Sequence, residues 1–162
     1  EIHGFKLLSA INADDYESLI KVGGTTALND AMVNVFDASS VFAKTLVESP
    51  NFFTVNDYEI FITDGVDVGS RLSEAKAKDA YSRRKTEEIL ETITSYLVAV
   101  NTAESGIARG LNRLKDNVGF DSMIEIENAD AESMAKLAGF ITSSSVSASA
   151  SLGSGASQIL TF

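Results

Sequence analysis

Apolar residues recur along this chain in two rhythms, and the alternation between them sets out its elements. Ile2 to Leu8 is a short apolar-rich piece that predicts a strand, and the polar stretch Asn12 to Glu17 predicts a loop or a helical turn. Leu28, Met32, Val35, Phe36, Phe42 and Leu46 then fall three and four residues apart, the spacing of one helix face, in a helix that must end before Pro50. Tyr58 to Thr63 has a different rhythm. It is a nearly unbroken run of aromatic and β-branched residues stopped by Asp64-Gly65, the pattern of a buried parallel strand. Ser73 is placed to cap a second helix, whose charged stretch runs on towards Ile89, Leu90 and Ile93. Tyr96 to Val100 predicts a second buried strand. Ile107, Leu111, Leu114 and Val118 fall one per turn along a third helix, closed by Gly119. Met123 to Ile126 predicts another strand and Ala131 to Ile141 another helix. Thr142 to Ser157 is almost all Ser, Ala and Gly, which suits a flexible tether or a thin, poorly packed helix.

Strands alternating with helices in this way specify an α/β fold, with a mostly parallel sheet covered by helices on both faces. The 162 residues are enough for one such unit with a real core. Sheets of this kind place ligands beyond the carboxyl ends of their strands, here after Ile62, Val100 and Ile126. Composition narrows what those ends can do. Thirteen Lys and Arg against twenty-three Asp and Glu give a net charge of -10, which repels nucleic acid and anionic membranes alike. No apolar run approaches the roughly 18 residues of a membrane span. The absence of cysteine removes thiolate metal sites and thiol nucleophiles. One histidine, His3, and no Gly-x-Ser-x-Gly leave nucleophilic catalysis without machinery. Asp14-Asp15 and Glu87-Glu88 fit solvated faces better than an acid and base pair. Arg83-Arg84-Lys85 is expected on a helix surface. Gly-Gly-Thr-Thr at a helix start could cradle a phosphate, but the P-loop lysine and the dinucleotide glycine spacing are both missing.

Two segments stand out: Val22-Gly-Gly-Thr-Thr-Ala-Leu-Asn-Asp-Ala-Met32 and Ile60-Phe-Ile-Thr-Asp-Gly65. In this order, and about forty residues apart, they resemble the second and third metal-site loops of von Willebrand factor A domains. The resemblance implies that Thr25, or Thr26 one residue on, offers a metal-site hydroxyl and that Asp64 offers the metal-site carboxylate. Hydroxyl and carboxylate oxygens are hard donors suited to Mg²⁺, and equally to Mn²⁺ or Ca²⁺. Gly65-Val-Asp-Val-Gly-Ser-Arg71 resembles the polar loop that follows the third motif, with Asp67 and Ser70 on a rim facing a partner. The likeness spans Ile2 to Ser151. Residues 1–151 would be the C-terminal two-thirds of such a domain, and residues 152–162 a Ser/Gly-containing tail.

The family's first motif, Asp-x-Ser-x-Ser at the end of a strand, is absent. The implied fold is therefore a three-layer, doubly wound, Rossmann-like sheet that is incomplete at its N-terminus. In the family's strand order the missing strand lies beside Tyr58 to Thr63, so the implied partners are proteins, including a chain or fragment that supplies the missing strands. The function implied is non-enzymatic protein binding, possible with or without metal. The alternative is a processed structural subunit of a larger assembly, for example a virion, that uses the fold without metal.

Overall fold

The computed structural model describes residues 4–16, 24–51, 53–103 and 106–150. Three strands, β1 (Asn56–Thr63), β2 (Thr92–Val100) and β3 (Ser122–Ile126), form a parallel sheet in the order β1-β2-β3. The register runs from Asn56 opposite Thr92 to Thr63 opposite Ala99, then from Tyr96 opposite Ser122 to Val100 opposite Ile126. Four helices accompany it: α1 (Leu28–Val47), α2 (Glu74–Thr86), α3 (Ile107–Val118) and α4 (Ala131–Ala150). The fold is α/β, as the alternating periodicities require.

The period-2 alternation of β2 explains the layering. Leu97 and Ala99 point into a core with Leu28, Met32 and Phe36 of α1, Ala77, Ala80 and Tyr81 of α2, and Leu111, Leu114 and Val118 of α3. Tyr96, Val98 and Val100 point the other way, onto Leu137, Phe140 and Ile141 of α4. α2 and α3 link neighbouring strands in the same direction across the sheet, so they share a face. Since β2 is covered on both sides, residues 94–100 are all buried. β1 is an edge strand: its inner side pairs with β2 and its outer side with no described strand.

Several elements differ from their predicted bounds. Ile2 to Leu8 is not a strand where it is described. Gly4 to Leu7 pair with no sheet, Leu8–Ala10 is a 3-10 turn, and Leu7 and Leu8 are exposed; Ile2 and His3 lie outside the described residues. What holds this segment is a ring stack, Phe5 on Phe42 of α1 with centroids 4.3 Å apart. Ala13–Tyr16 is a second 3-10 turn, within the stretch expected as a loop or turn. α1 is also two-sided. Leu28, Met32, Phe36, Ser39 and Ala43 face the core, whereas Val35 and Phe42 belong to a second, partly exposed apolar stripe.

α2 stops at Thr86 because Glu88 takes a positive φ of 51°, and Ile93 belongs to β2 instead. Ser73 occupies the N-cap position, but its hydroxyl makes no capping bond; its carbonyl accepts from Lys76 and Ala77. α3 ends as expected, with Gly119 left-handed at φ 101° and its N–H bonded to the Lys115 carbonyl. α4 runs nine residues past Ile141, to Ala150. Its small residues are not idle: Ser144 is buried, and the Ala148 carbonyl accepts from Asn56 Nδ2 at 3.3 Å. Residues 152–162 lie outside the described residues.

Candidate functional site

The carboxyl ends of the strands carry a clasp between two segments far apart in sequence. The chain leaves β1 at Asp64 and runs through residues 65–72 across the start of α1. An α-helix begins with orphan N–H groups, and at α1 this loop supplies their partners. Asp67 Oδ1 accepts from the Asn29 N–H at 3.1 Å, and Ser70 Oγ accepts from the Asp30 N–H at 3.0 Å. The Ser70 hydroxyl in turn donates to Asp67 Oδ1. In return, the Asp30 carboxylate accepts from the Arg71 N–H at 3.1 Å and the Leu72 N–H at 2.8 Å. Those two N–H groups hold the Asp30 carboxyl below its usual range. The Thr26 carbonyl closes the clasp by accepting from Val68 and Gly69, each at 3.0 Å.

Close packing fixes the loop from both sides. A Cβ added at Gly69 would lie 2.1 Å from Thr25 Oγ1 and 2.8 Å from Thr25 Cβ, so only glycine allows this approach. On the other side Val66 rests on α3, where a Cβ at Gly110 would come within 2.7 Å of Val66 Cγ1. The neighbouring loops are joined as well: Asn101, at a positive φ of 56°, accepts through Oδ1 from the Ala129 N–H at 3.1 Å.

Thr25 therefore sits against Gly69, five residues beyond Asp64. Thr26 Oγ1 sits against Gly65, 3.9 Å from where a Cβ would stand. Of the two hydroxyls, that of Thr26 is beside the residue following Asp64. Asp64 itself is exposed, and Thr26 is half-buried. Asp67 and Ser70, expected on a rim, are half-buried and committed to the helix start. Asn29 is 7% exposed, and its Oδ1 has no hydrogen-bond partner among the described residues.

Tested against a divalent cation, these oxygens have the right chemistry and a short count. Thr25 or Thr26 and Asp64 would provide one hydroxyl and one carboxylate for an ion such as Mg²⁺, which takes about six oxygens and keeps several waters. Among the described residues no group of three or more His, Cys, Asp or Glu is placed to hold a metal.

A second polar cluster was not foreseen. Arg84, expected on the helix surface with its neighbours, is 2% exposed and pairs with two carboxylates of β1. Its Nη1 donates to Glu59 Oε2 at 2.8 Å and its Nη2 to Asp57 Oδ2. Arg83 and Lys85 are exposed, as expected. The signal was present: Ala77, Ala80, Tyr81 and Arg84 follow i, i+3, i+4, i+7, which puts Arg84 on the core stripe. Asp30 was missed too, although it stands in the first turn of α1, where acidic residues favour helix starts.

No family model, no curated protein and no solved structure matches this chain. Among the described residues, no helix is long and apolar enough to cross a membrane.

Proposed function

We propose that this chain is a non-enzymatic protein-binding module of the von Willebrand factor A type, acting from the carboxyl ends of its strands. One observation carries the reading. Thr25 and Thr26 and the loop after Asp64, remote in sequence, meet at the end of β1, with Thr26 Oγ1 beside Gly65 and Thr25 Oγ1 against Gly69. The order of helices and parallel strands after them agrees with a doubly wound, Rossmann-like sheet, and the open edge of β1 is where the missing strand would pair. On this reading a further strand would lie along that edge, and the module's ligand is a protein. Asp64 with Thr25 or Thr26 would hold Mg²⁺, or Mn²⁺ or Ca²⁺ in its place, and the cation would supply an attraction for a partner's carboxylate. A net charge of -10 argues against nucleic acid and anionic membranes as partners.

The test is thermal unfolding with increasing Mg²⁺ for wild type, Thr25→Ala, Thr26→Ala and Asp64→Ala. A ligand that binds only the folded state raises stability by about 2.7 kcal/mol at 100 times its Kd. A shift in wild type that Asp64→Ala and one threonine variant abolish, with unfolding otherwise unchanged, supports the site. An equal shift in every variant refutes it.

A second reading has its own observation. Besides the open edge of β1, α1 shows an outward apolar stripe that includes Val35, Val41 and Phe42, beside an open cleft of about 1040 Å³ lined partly by Phe5, Ile11 and Val35. Two such surfaces suit a processed structural subunit, such as one of a virion, that uses the fold without metal. Concentration-dependent assembly with no response to Mg²⁺ would favour this reading.

A further inference from the structure

Beneath the amino-terminal half of β1 lies a buried cluster whose hydrogen bonds and charges do not balance as ordinarily drawn. Asp57 and Glu59 project from β1 towards α1 and α2, where Arg84 is, among the described residues, the one cation that bonds them. The side chains of Arg84 and Glu59 are 1% and 4% exposed. With both carboxylates ionised, the cluster would hold two negative charges against one positive charge in a low-dielectric place, which is costly.

The hydroxyl of Ser39 gives a second, independent indication. It lies 3.3 Å from the Phe36 carbonyl and 3.3 Å from Glu59 Oε1, and both of these are acceptors if Glu59 is ionised. A serine has one hydrogen to give. A proton on Glu59 Oε1 resolves the conflict: Glu59 donates to Ser39 Oγ, and Ser39 donates to Phe36. Glu59 Oε2 stays free to accept from Arg84, and Asp57 alone neutralises the guanidinium.

We propose that Glu59 is the proton-binding member of a latch that fastens edge strand β1 beneath α1 and α2, closed when Glu59 is protonated and loosened when it ionises. Independently of the functional reading above, burial is the main influence raising the Glu59 carboxyl, to about 7; Asp57 adds to it, and Arg84 and Ser39 oppose it. The groups around it are Asp57 on β1, Arg84 and Tyr81 on α2, and the Ser39 hydroxyl on α1. On β2 its register partner is Ser95, whose hydroxyl lies 2.7 Å from Tyr81 Oη and 3.0 Å from Asp121 Oδ2.

The sign follows from the raised value. A carboxyl ordinarily at 4.5 and held at about 7 in the fold contributes stability that is fully present below 4.5 and is lost as pH rises through 7. The test compares urea unfolding of wild type and Glu59→Gln, whose amide mimics the protonated acid. Between about pH 6 and about pH 8.5, wild type should lose about tenfold in its folding constant relative to the variant. Parallel pH profiles would overturn the proposal. A carbon-detected NMR titration of the Glu59 carboxyl in wild type needs no variant: a midpoint near 7 supports the latch, and one near 4.5 overturns it.

Discussion

The two ends of β1 shift the proton affinity of a carboxylate in opposite directions, a solvent-accessible one at the carboxyl end and a buried one at the amino end. At the carboxyl end Asp30 receives two backbone N–H groups from the loop after β1, which favours its charged form and lowers its proton affinity. At the amino end Glu59 shares one guanidinium with Asp57 inside the core, and desolvation outweighs the attraction, so its proton affinity rises. Backbone donors carry no net charge and can be concentrated on one carboxylate; a buried arginine divided between two acids cannot neutralise both. One end is therefore held in its ionised form and the other has a proton to lose.

The comparison breaks most sharply at Arg84. Arg84→Met leaves Asp57 and Glu59 without a cation and should cost about 3–5 kcal/mol in urea unfolding above pH 7, and less in mild acid where Glu59 is neutral. A loss that ignores pH would remove the distinction between the two ends. Gly69→Ala comes next. Its Cβ would meet the hydroxyl and Cβ of Thr25, so about 1–3 kcal/mol should be lost, with shifts in the Thr25 and Thr26 amide resonances.

Gly110→Ala should be milder. Its new methyl meets only the tip of Val66, and alanine regains about 1 kcal/mol of helix propensity, so the net change should be near zero by calorimetry. The smallest effect is at the exposed carboxylate. Wild type has stability from Asp30 above pH 3.8 that is lost as pH falls below it; Asp30→Asn should flatten that acid limb and leave the Glu59 limb intact.

Much of this fold could be read in advance because its central strand is buried on two faces and its helices on one. Tyr58 to Thr63, broken only by Glu59, and Tyr96 to Val100 announced a parallel sheet through their apolar runs. The starts of both strands were missed because Asn56, Asp57, Thr92 and Thr94 are polar and pair through the backbone. The apolar Phe5, Leu7 and Leu8 suggested a strand, but among the described residues this segment pairs with none. The end of α4 was hidden because its Ser and Ala residues carry no apolar periodicity, and of residues 142–150 only Ser144 is buried. At the site, residue types located the segments Thr25-Thr26 and Asp64 to Ser70 that converge. The exchange of caps among Asp30, Asp67 and Ser70 was not legible, since hydrogen bonds between a side chain and a remote backbone leave no spacing rule. Arg84 was misjudged because charge was weighed before helical phase.

The convergence of the threonine segment with Asp64 is most directly probed by adding Mn²⁺ to isotope-labelled protein and following paramagnetic broadening of amide resonances. Broadening centred on Thr25, Thr26, Asp64 and Gly65, and lost in Asp64→Ala, is the expected result. Broadening spread over the acidic surface, or persisting unchanged in Asp64→Ala, would contradict a cation site at the end of β1.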